Sequence, residues 1–308
     1  MHVLVTGGAG FIGSHSVEAL IEEGSRVTVL DNLSTGKRAN VPVHERVELI
    51  EGDIRDAATV RRALEGVTHV LHLAAQVSVR ASLEDPAHSA SHNVAGFLNV
   101  VDAARNAGRV RVVYASSAAV YGAPEALPLE EGSPCRPSSP YGLEKWIDDQ
   151  YAALYRDLYG ASLLGMRYFN VYGPRQDPSS PYAGVISRFA ACIGSDEPLT
   201  VFGDGRQTRD FVYVGDVARA NVAALKSSSQ GVLNVGTGTS VSLLRLIEAL
   251  GHCAGRTPQV RFDPPVPGDI RDSAMRPERM REILGFVPAT DLLEGLARLL
   301  AADSERTP

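Results

Sequence analysis

The feature that most constrains the fold of this chain is a set of three evenly spaced glycines, Gly7, Gly10 and Gly13. They follow a short apolar run at residues 2–6 (HVLVT), typical of a buried parallel strand, and precede an amphipathic run typical of a helix. Glycines here allow a tight turn without a Cβ clash and bring the backbone close to a diphosphate at a helix N-terminus. The start of the chain is therefore predicted to bind a dinucleotide; the alternative is a glycine turn without a ligand.

Strand-like and helical patterns alternate through the first half of the chain. Apolar runs at residues 27–30, 47–54, 67–73, 111–115 and 162–169 predict further strands. Helical patterns lie between them, including one from residue 85 to about residue 106 and one from Tyr141 to about Tyr159. This alternation predicts an α/β fold with a doubly wound parallel sheet of the Rossmann type, which binds ligands at the carboxyl ends of its strands.

Acidic residues after the second and third strands indicate which dinucleotide is bound. Asp31 lies 18 residues beyond Gly13, where a carboxylate can accept both ribose hydroxyls of NAD and repels the additional phosphate of NADP. Lys37 and Arg38 follow closely and weaken this distinction, but NAD is the better prediction. Asp53 is expected either to bind the adenine or to serve as a turn or helix N-cap residue.

Tyr141 and Lys145 are four residues apart on a predicted helix, so they share one face. A free tyrosine has a pKa of about 10, and a neighbouring ammonium lowers it, as a general base requires. Such a pair can also be an ordinary solvated one. Ser116 and Ser117 end the fifth strand and provide hydroxyls for the same pocket. Together with the nucleotide-binding half, these features favour catalysis.

Composition excludes several classes of protein. The net charge of −6 over 308 residues argues against a nucleic-acid binder with a broad basic surface. Three cysteines, Cys135, Cys192 and Cys253, have neither disulfide-framework nor zinc-site spacing, so no metal site is expected. No signal-peptide pattern and no apolar run approaching 18 residues occur, so a cytoplasmic protein that does not enter the membrane is expected.

Motifs along nearly the whole chain resemble those of the extended short-chain dehydrogenase/reductase family, particularly its NAD-dependent nucleotide-sugar epimerases and dehydratases. These motifs are TGGAGFIGS, DNLSTG, GDIRD, LAAQ, SSAAVYG, YGLEK, RYFNVYGPRQDP, FGDGRQTRDFVYVGDV and NVGTG. The resemblance implies Ser117, Tyr141 and Lys145 as the catalytic residues, with Lys145 also binding the nicotinamide ribose. The NAD site that it implies comprises Gly7, Gly10, Phe11, Ile12, Gly13, Asp31, Asn32, Ser34, Thr35, Gly36, Asp53, Ile54, Leu73, Ala74, Ala75, Gln76, Asn93, Ser116, Tyr141, Lys145 and Tyr168.

The residues after the serines indicate the reaction. Dehydratases and decarboxylases of the family carry an acidic residue there, whereas this chain has Ala118, Ala119 and Val120. The arrangement is similar to that of UDP-glucose 4-epimerases, which need one acid/base and one hydride acceptor. The resemblance therefore implies 4-epimerisation of a UDP-sugar through a 4-keto intermediate. A 4-epimerase of UDP-glucuronate or UDP-N-acetylglucosamine, a 4-keto reductase, and a non-catalytic NAD-binding protein are the alternatives.

The second half is expected to bind the UDP-sugar. The resemblance implies a substrate site of Ser117, Asn170, Val185, Phe189, Arg209, Asp269 and Ser273. Of these, Asn170 and Arg209 are assigned to the diphosphate, although a turn residue and a surface ion pair are their alternatives. Ser273 is small and leaves room for substituted sugars. Val266 replaces an arginine that is usual in the family, and Glu144 replaces a small residue, the latter with no expected effect on chemistry.

The domain boundaries and the assembly also follow from the resemblance. Residues 1–168 are expected to form the NAD-binding part and residues 169–308 the nucleotide-sugar lobe, with later segments crossing back. The helices that carry Asn93 and Tyr141 are similar to those that pair between subunits in this family, so a homodimer is expected.

Overall fold

The computed structural model describes residues 1–108, 110–177, 184–265 and 270–304. The residues around Val266 and the predicted ribose ligand Asp269 lie outside this part of the chain. No helix within the described residues is both long enough and apolar enough to cross a membrane.

A seven-stranded parallel sheet forms the larger part of the fold, with the spatial order β10-β6-β5-β4-β1-β2-β3. Its strands are β1 (His2–Thr6), β2 (Arg26–Asp31), β3 (Val47–Glu51), β4 (His69–His72), β5 (Arg111–Ser117), β6 (Leu163–Tyr168) and β10 (Gly231–Val235). The strand order reverses between β1 and β4, which places the topological switch point beside the glycine turn. The predicted doubly wound fold is confirmed.

Helices cover both faces of this sheet. They are α1 (Phe11–Glu22), α2 (Ala57–Ala63), α3 (Val79–Glu84), α4 (Pro86–Ala90), α5 (Gly96–Asn106), α6 (Pro140–Tyr159), α7 (Val185–Ser195), α8 (Val214–Lys226), α9 (Leu243–Ala254), α10 (Glu278–Leu284) and α11 (Leu292–Ser304). Val3 and Val5 of β1 pack with residues of α1 and α8, and Leu4 packs with residues of α2 and α5 on the opposite face. Both faces of the sheet are therefore buried, as the continuous apolar strands require.

A smaller lobe is built largely from the second half of the chain. It contains a three-stranded sheet in the order β11-β9-β7 and a pair formed by β8 and β12. These strands are β7 (Asn170–Tyr172), β8 (Leu199–Phe202), β9 (Thr208–Tyr213), β11 (Ser240–Ser242) and β12 (Val260–Asp263). Residues of α7, α9 and α11 pack together in its separate apolar core.

Two predicted elements differ from those observed. The third strand ends at Glu51, not at residue 54, because Asp53 Oδ1 accepts the amide of Arg55 and turns the chain. The helical pattern from residue 85 to 106 is divided into α4, a π-helical segment at Ser91–Ala95 and α5. Asn93 lies within the π-helical segment, a conformation often found at functional sites.

Gly13 is a position of the glycine turn that has no room for a side chain. A Cβ atom there would lie 2.1 Å from the carbonyl oxygen of Gly7 and 2.8 Å from the Cα of Gly8. We expect Gly13→Ala to lower the free energy of unfolding by about 2 kcal/mol or more, because backbone atoms must move to admit it. Chemical denaturation measures the change.

Gly132→Ala is the matched control, since a Cβ atom at Gly132 meets nothing within 4 Å. It should change the free energy of unfolding by no more than about 0.5 kcal/mol. Equal stabilities for the two variants would contradict this description of the glycine turn.

Candidate active site

The glycine turn is held between the ends of β1 and β4. Gly7 has a φ of +72°, and a Cβ atom on it would lie 2.7 Å from the amide nitrogen of Ala74. Gly10 is the N-cap of α1, and it has no side chain that could hydrogen-bond the backbone amides of the first helical turn. A backbone cradle at the N-terminus of a helix suits a dinucleotide diphosphate.

Asp31 accepts hydrogen bonds from the glycine turn and from the loop that follows β2, one through each carboxylate oxygen. Oδ2 accepts the amide of Ala9 and Oδ1 accepts the amide of Leu33, each at 2.9 Å. Lys37 N and Asn40 Nδ2 both donate to the carbonyl of Ala9 at 3.0 Å. A carboxylate oxygen has more than one lone pair, so this arrangement leaves acceptor capacity for ribose hydroxyls.

The predicted adenine-side residues are connected by side-chain hydrogen bonds. Asn32 donates to Asp53 Oδ2 at 3.0 Å and accepts the hydroxyl of Ser34 at 2.7 Å. Hydrogen bonds from the side chain of Arg55, which outweigh partial burial, hold the pKa of Asp53 well below its usual range. Asp53 is a turn residue, and Asp56 is the residue that caps α2. Binding of adenine by Asp53 stays a prediction.

Two serine hydroxyls and one proline determine where α6, the helix that carries Tyr141, begins. Ser139 is the N-cap of α6, and its hydroxyl accepts the amide of Gly142 at 3.1 Å. Pro140 occupies the first turn, where its missing N–H costs nothing. Ser82 of α3 accepts the amide of Tyr141 at 3.1 Å. The backbone of Tyr141 is thereby fixed both by its own helix and by a neighbouring one.

Lys145 lies one turn after Tyr141 with only 2% of its surface exposed. Its Nζ is 3.3 Å from Oδ2 of Asp148, which is fully buried. Burial alone lowers the pKa of Lys145, but the negative charges of Asp148 and of Tyr141 as phenolate outweigh it and raise the pKa. Ammonium and phenol are therefore close enough to interact, as the four-residue spacing predicted.

His72 is a buried imidazole near the ammonium of Lys145. Complete burial, and secondarily the charge of Lys145, lower the pKa of His72 to about 3. Its Nδ1 is 2.8 Å from the hydroxyl of Thr6 at the end of β1. His72 is therefore uncharged at neutral pH and contributes no competing cation.

Ser117 reaches the same place from the end of β5. It caps a short 3₁₀ turn at Ala118–Tyr121, and its Oγ accepts the amide of Ala119 at 3.1 Å. The carbonyl oxygen of Ala119 lies against α6, only 2.7 Å from where a Cβ atom on Gly142 would be. Ser117 and Tyr141 thus stand on backbone segments in direct contact. Ser116 is buried at the end of the same strand.

The structure does not direct every predicted side chain toward this site. Ile54 packs against Gly96 in the core, with its Cδ1 2.5 Å from where a Cβ atom on Gly96 would be. Tyr168 donates its hydroxyl to Asn221 of α8 at 2.7 Å, and Phe189 packs in the core of the smaller lobe. These three side chains pack in the apolar cores, and their contacts with a ligand stay predictions.

Three predicted substrate residues lie around β9. Asn170 begins β7, which pairs with β9, and donates to the carbonyl of Asp210 at 3.2 Å. Arg209 lies on β9 and donates to the carbonyls of Thr208 and Arg271. The amide of Ser273 donates to Thr208 at 3.1 Å. Val185 begins α7 in the same lobe. Their ligand contacts stay predictions.

The 3₁₀ turn after Ser117 also contacts the segment that follows Ser273. Val120 and Tyr121 form a small apolar cluster with Leu129, Phe169 and Met275. This cluster joins the serine turn to the smaller lobe. No sequence pattern indicated it, because its members come from distant parts of the chain and share no motif.

Fold and site together indicate a dinucleotide-binding protein in which the turn of Ser117 packs against the helix of Tyr141 and Lys145. The pattern that defines the NAD dependent epimerase/dehydratase family matches residues 3–236. The chain belongs to this family. The predicted family, enzyme class and NAD cofactor are confirmed, and the glycine cradle and Asp31 fit that cofactor.

Similar proteins include epimerases of several organisms. A UDP-glucose 4-epimerase of Mycolicibacterium smegmatis is 41% identical over 304 residues, 97% of each chain. The structure of a Thermus thermophilus UDP-glucose 4-epimerase in complex with NAD is 43% identical, with a TM-score of 0.91 over 98% of each chain. A UDP-N-acetylglucosamine 4-epimerase from Methanobrevibacter ruminantium, in complex with UDP-N-acetylmuramic acid, is 37% identical, with a TM-score of 0.96 over 99% of each.

The burial of Asp148 predicts a dependence of stability on pH. Burial, partly offset by Lys145, raises the pKa of Asp148 to about 7 from its ordinary 3.8. Between these pH values the folded chain binds a proton that the unfolded chain does not, so this contribution to stability is lost as pH rises toward 7. Asp148→Asn cannot titrate. We therefore expect the free energy of unfolding of the native chain, relative to this variant, to fall between about pH 4.5 and about pH 7.

Urea denaturation at several pH values measures this difference. The contacts that protonated Asp148 makes and asparagine does not reproduce add an offset that is constant over the range. Asp157→Asn, on the exposed part of the same helix, is the control, because Arg156 lowers the pKa of Asp157. A pH-independent difference for Asp148→Asn would refute the assignment.

Proposed function

We propose that this protein is an NAD-dependent 4-epimerase of a UDP-sugar, with UDP-glucose and UDP-galactose as its substrates. The observation that carries the proposal is the buried Lys145 ammonium beside Tyr141, on a helix in direct contact with the turn of Ser117. The activities for which the similar proteins are named support the same choice. The absence of an acidic residue at positions 118–120 favours epimerisation over elimination of water.

The chain's own residues supply acid/base chemistry and positioning. Tyr141 as phenolate takes the proton of the sugar 4-hydroxyl, and Ser117 hydrogen-bonds the same oxygen. Lys145 stabilises the phenolate by its charge and lies where it can bind the nicotinamide ribose. Bound NAD supplies a reversible acceptor for the hydride from C4. After the 4-keto sugar turns over in the pocket, Tyr141 returns the proton to the 4-oxygen.

The smaller lobe is proposed to hold the nucleotide. Arg209 and Asn170 would bind the diphosphate from the neighbouring strands β9 and β7, since a guanidinium offers a planar set of donors to phosphate oxygens. The segment at Ser273 contacts β9 and continues to the cluster beside the serine turn. The sugar would then lie between Ser273 and Ser117, with the nicotinamide beyond it.

A second candidate substrate is UDP-N-acetylglucosamine. Ser273 is small, and the similar enzyme of Methanobrevibacter ruminantium is a 4-epimerase of that compound. A bulky side chain at this position would exclude the N-acetyl group, whereas serine leaves room for it. A turnover assay with both UDP-sugars distinguishes the two candidates by their product ratios.

The proposal also includes a cytoplasmic homodimer. Leu143, Leu154 and Leu158 on α6 are apolar and exposed, as expected of a helix that packs against a second copy. The three cysteines are free thiols without the spacing of a disulfide framework, as is typical of proteins in a reducing compartment.

Tyr141→Phe tests the proposed chemistry. It removes the phenolic oxygen that exchanges the proton and leaves the ring in place. We expect turnover of UDP-glucose to fall by at least about 10²-fold, since a positioned acid/base contributes that much. Bound NAD should be retained. The measurement is the rate of 4-epimer formation from UDP-glucose and from UDP-N-acetylglucosamine, with NAD content determined in parallel.

Tyr159→Phe is the matched control, because Tyr159 is half-exposed at the far end of the same helix. It should keep full turnover. An active Tyr141→Phe variant, or a native protein that forms no 4-epimer from either UDP-sugar, would overturn the proposal.

A further inference from the structure

Glu144, directly before Lys145, is a buried carboxylate that the proposed chemistry does not use. Only 4% of its surface is exposed. Its Oε2 accepts two hydrogen bonds, from the hydroxyl of Ser89 at 2.7 Å and from Nδ2 of Asn93 at 2.6 Å. Glu144 therefore anchors the segment of α4 and the π-helical turn to the first turns of α6.

Asn93 links Glu144 to the loop that follows β4. Its Oδ1 accepts the amide of Gln76, and its Nδ2 donates to the carbonyl of the same residue, both at 2.8 Å. One Nδ2 hydrogen thus serves Gln76 and the other serves Glu144, so the amide donors of Asn93 are fully used. These hydrogen bonds make Asn93 a bridge between two parts of the site, and its contact with NAD stays a prediction.

Gln76 belongs to the same loop as Ala74, against which the glycine turn packs. The path from Glu144 through Asn93 to Gln76 therefore links the helix of Tyr141 and Lys145 to the loop that borders the dinucleotide. Ser82 makes a separate attachment at the amide of Tyr141. Hydride transfer requires the sugar, the phenol and the nicotinamide in a fixed relative position, and a displacement of about 1 Å can cost about 10²-fold in rate.

We propose that Glu144 is a positioning residue, which sets the distance between the dinucleotide loop and the catalytic pair through Asn93. This inference rests on the proposed function for its kinetic consequence, but not for its effect on NAD binding. A purely structural role would give Glu144 an effect on stability alone. The two roles therefore differ in what happens to NAD affinity and to kcat in the folded protein.

Glu144→Ala and Glu144→Gln are the informative pair. Alanine removes the acceptor, so Asn93 loses its anchor. We expect the dissociation constant of NAD to rise by about 10-fold, the worth of one buried hydrogen bond, and kcat with UDP-glucose to fall by about 10-fold or more. Glutamine keeps an oxygen that can accept both hydrogen bonds. It should restore both quantities to within about 3-fold of the native values, as expected where acceptor geometry matters.

Asn93→Ala and Gln150→Ala complete the set. Asn93→Ala cuts the same path and should reproduce the kinetic signature of Glu144→Ala; if Glu144→Ala does not fold, a folded Asn93→Ala variant with native NAD affinity and native kcat would overturn the inference. Gln150 is exposed on the same helix, so Gln150→Ala should behave as the native chain. Titration with NAD, steady-state kinetics and thermal melting are measured for each variant.

The results separate this inference from the proposed function. A native protein that binds NAD but forms no 4-epimer would count against the function, and the NAD titrations of the variants would still decide the role of Glu144. A folded Glu144→Ala variant with native NAD affinity and native kcat would overturn the inference. A Glu144→Gln variant that restores neither the NAD affinity nor kcat would also overturn the inference, because acceptor geometry would then not explain the effect.

Discussion

The buried ammonium of Lys145 is the constraint on which the rest of the site depends. An ion removed from water loses solvation worth several kcal/mol, and it remains charged only if anions or dipoles replace that water. Asp148 Oδ2 lies 3.3 Å from Nζ, Tyr141 lies one helical turn away, and negative charge on either group raises the pKa of Lys145. The arrangement therefore keeps a charged ammonium next to the phenol of Tyr141.

The helix that carries this charge is itself fixed to the sheet by a second buried ion pair. Asp149, the residue after Asp148, accepts Nε of Arg167 on β6 at 2.9 Å and the hydroxyl of Tyr114 on β5 at 3.1 Å. Buried pairs contribute less to stability than their Coulomb energy suggests, but breaking one is costly, so they specify geometry. The catalytic helix is thereby held against the strands that deliver Ser116 and Ser117.

Parallel strands explain why these groups meet. The carboxyl ends of β1, β4 and β5 lie at one edge of the sheet, and each leads into a segment of the site. The glycine turn follows β1, the Ala74–Gln76 loop follows β4, and the serine turn follows β5. Close backbone packing between the first two requires glycine at position 7, since any Cβ atom there would overlap Ala74.

The sequence was sufficient to predict features that depend on local patterns. The strand–glycine–helix unit, the alternation of strands and helices, and the shared face of Tyr141 and Lys145 follow from residue type and spacing. The resemblance located the motif residues along the chain. A motif fixes a position but not the direction of a side chain, and only the structure shows that the side chains of Ile54, Tyr168 and Phe189 pack in the apolar cores.

Features that depend on distant contacts could not be predicted in this way. Glu144 meets Ser89 and Asn93 across 55 and 51 positions of the sequence, so no local pattern reveals that its carboxylate is buried and paired. The π-helical turn at Asn93 is similarly a result of tertiary packing. The acidic residue Glu144, directly before Lys145 on the predicted helix, was the one signal available in the sequence.

The central claim is that a single hydride leaves the sugar carbon and returns to its other face within the site. UDP-glucose carrying deuterium at C4 tests it, when incubated with the protein and NAD in ordinary water and analysed by mass and NMR. The account predicts UDP-galactose that keeps the deuterium at C4. Epimerised product that has lost the deuterium to solvent would contradict it.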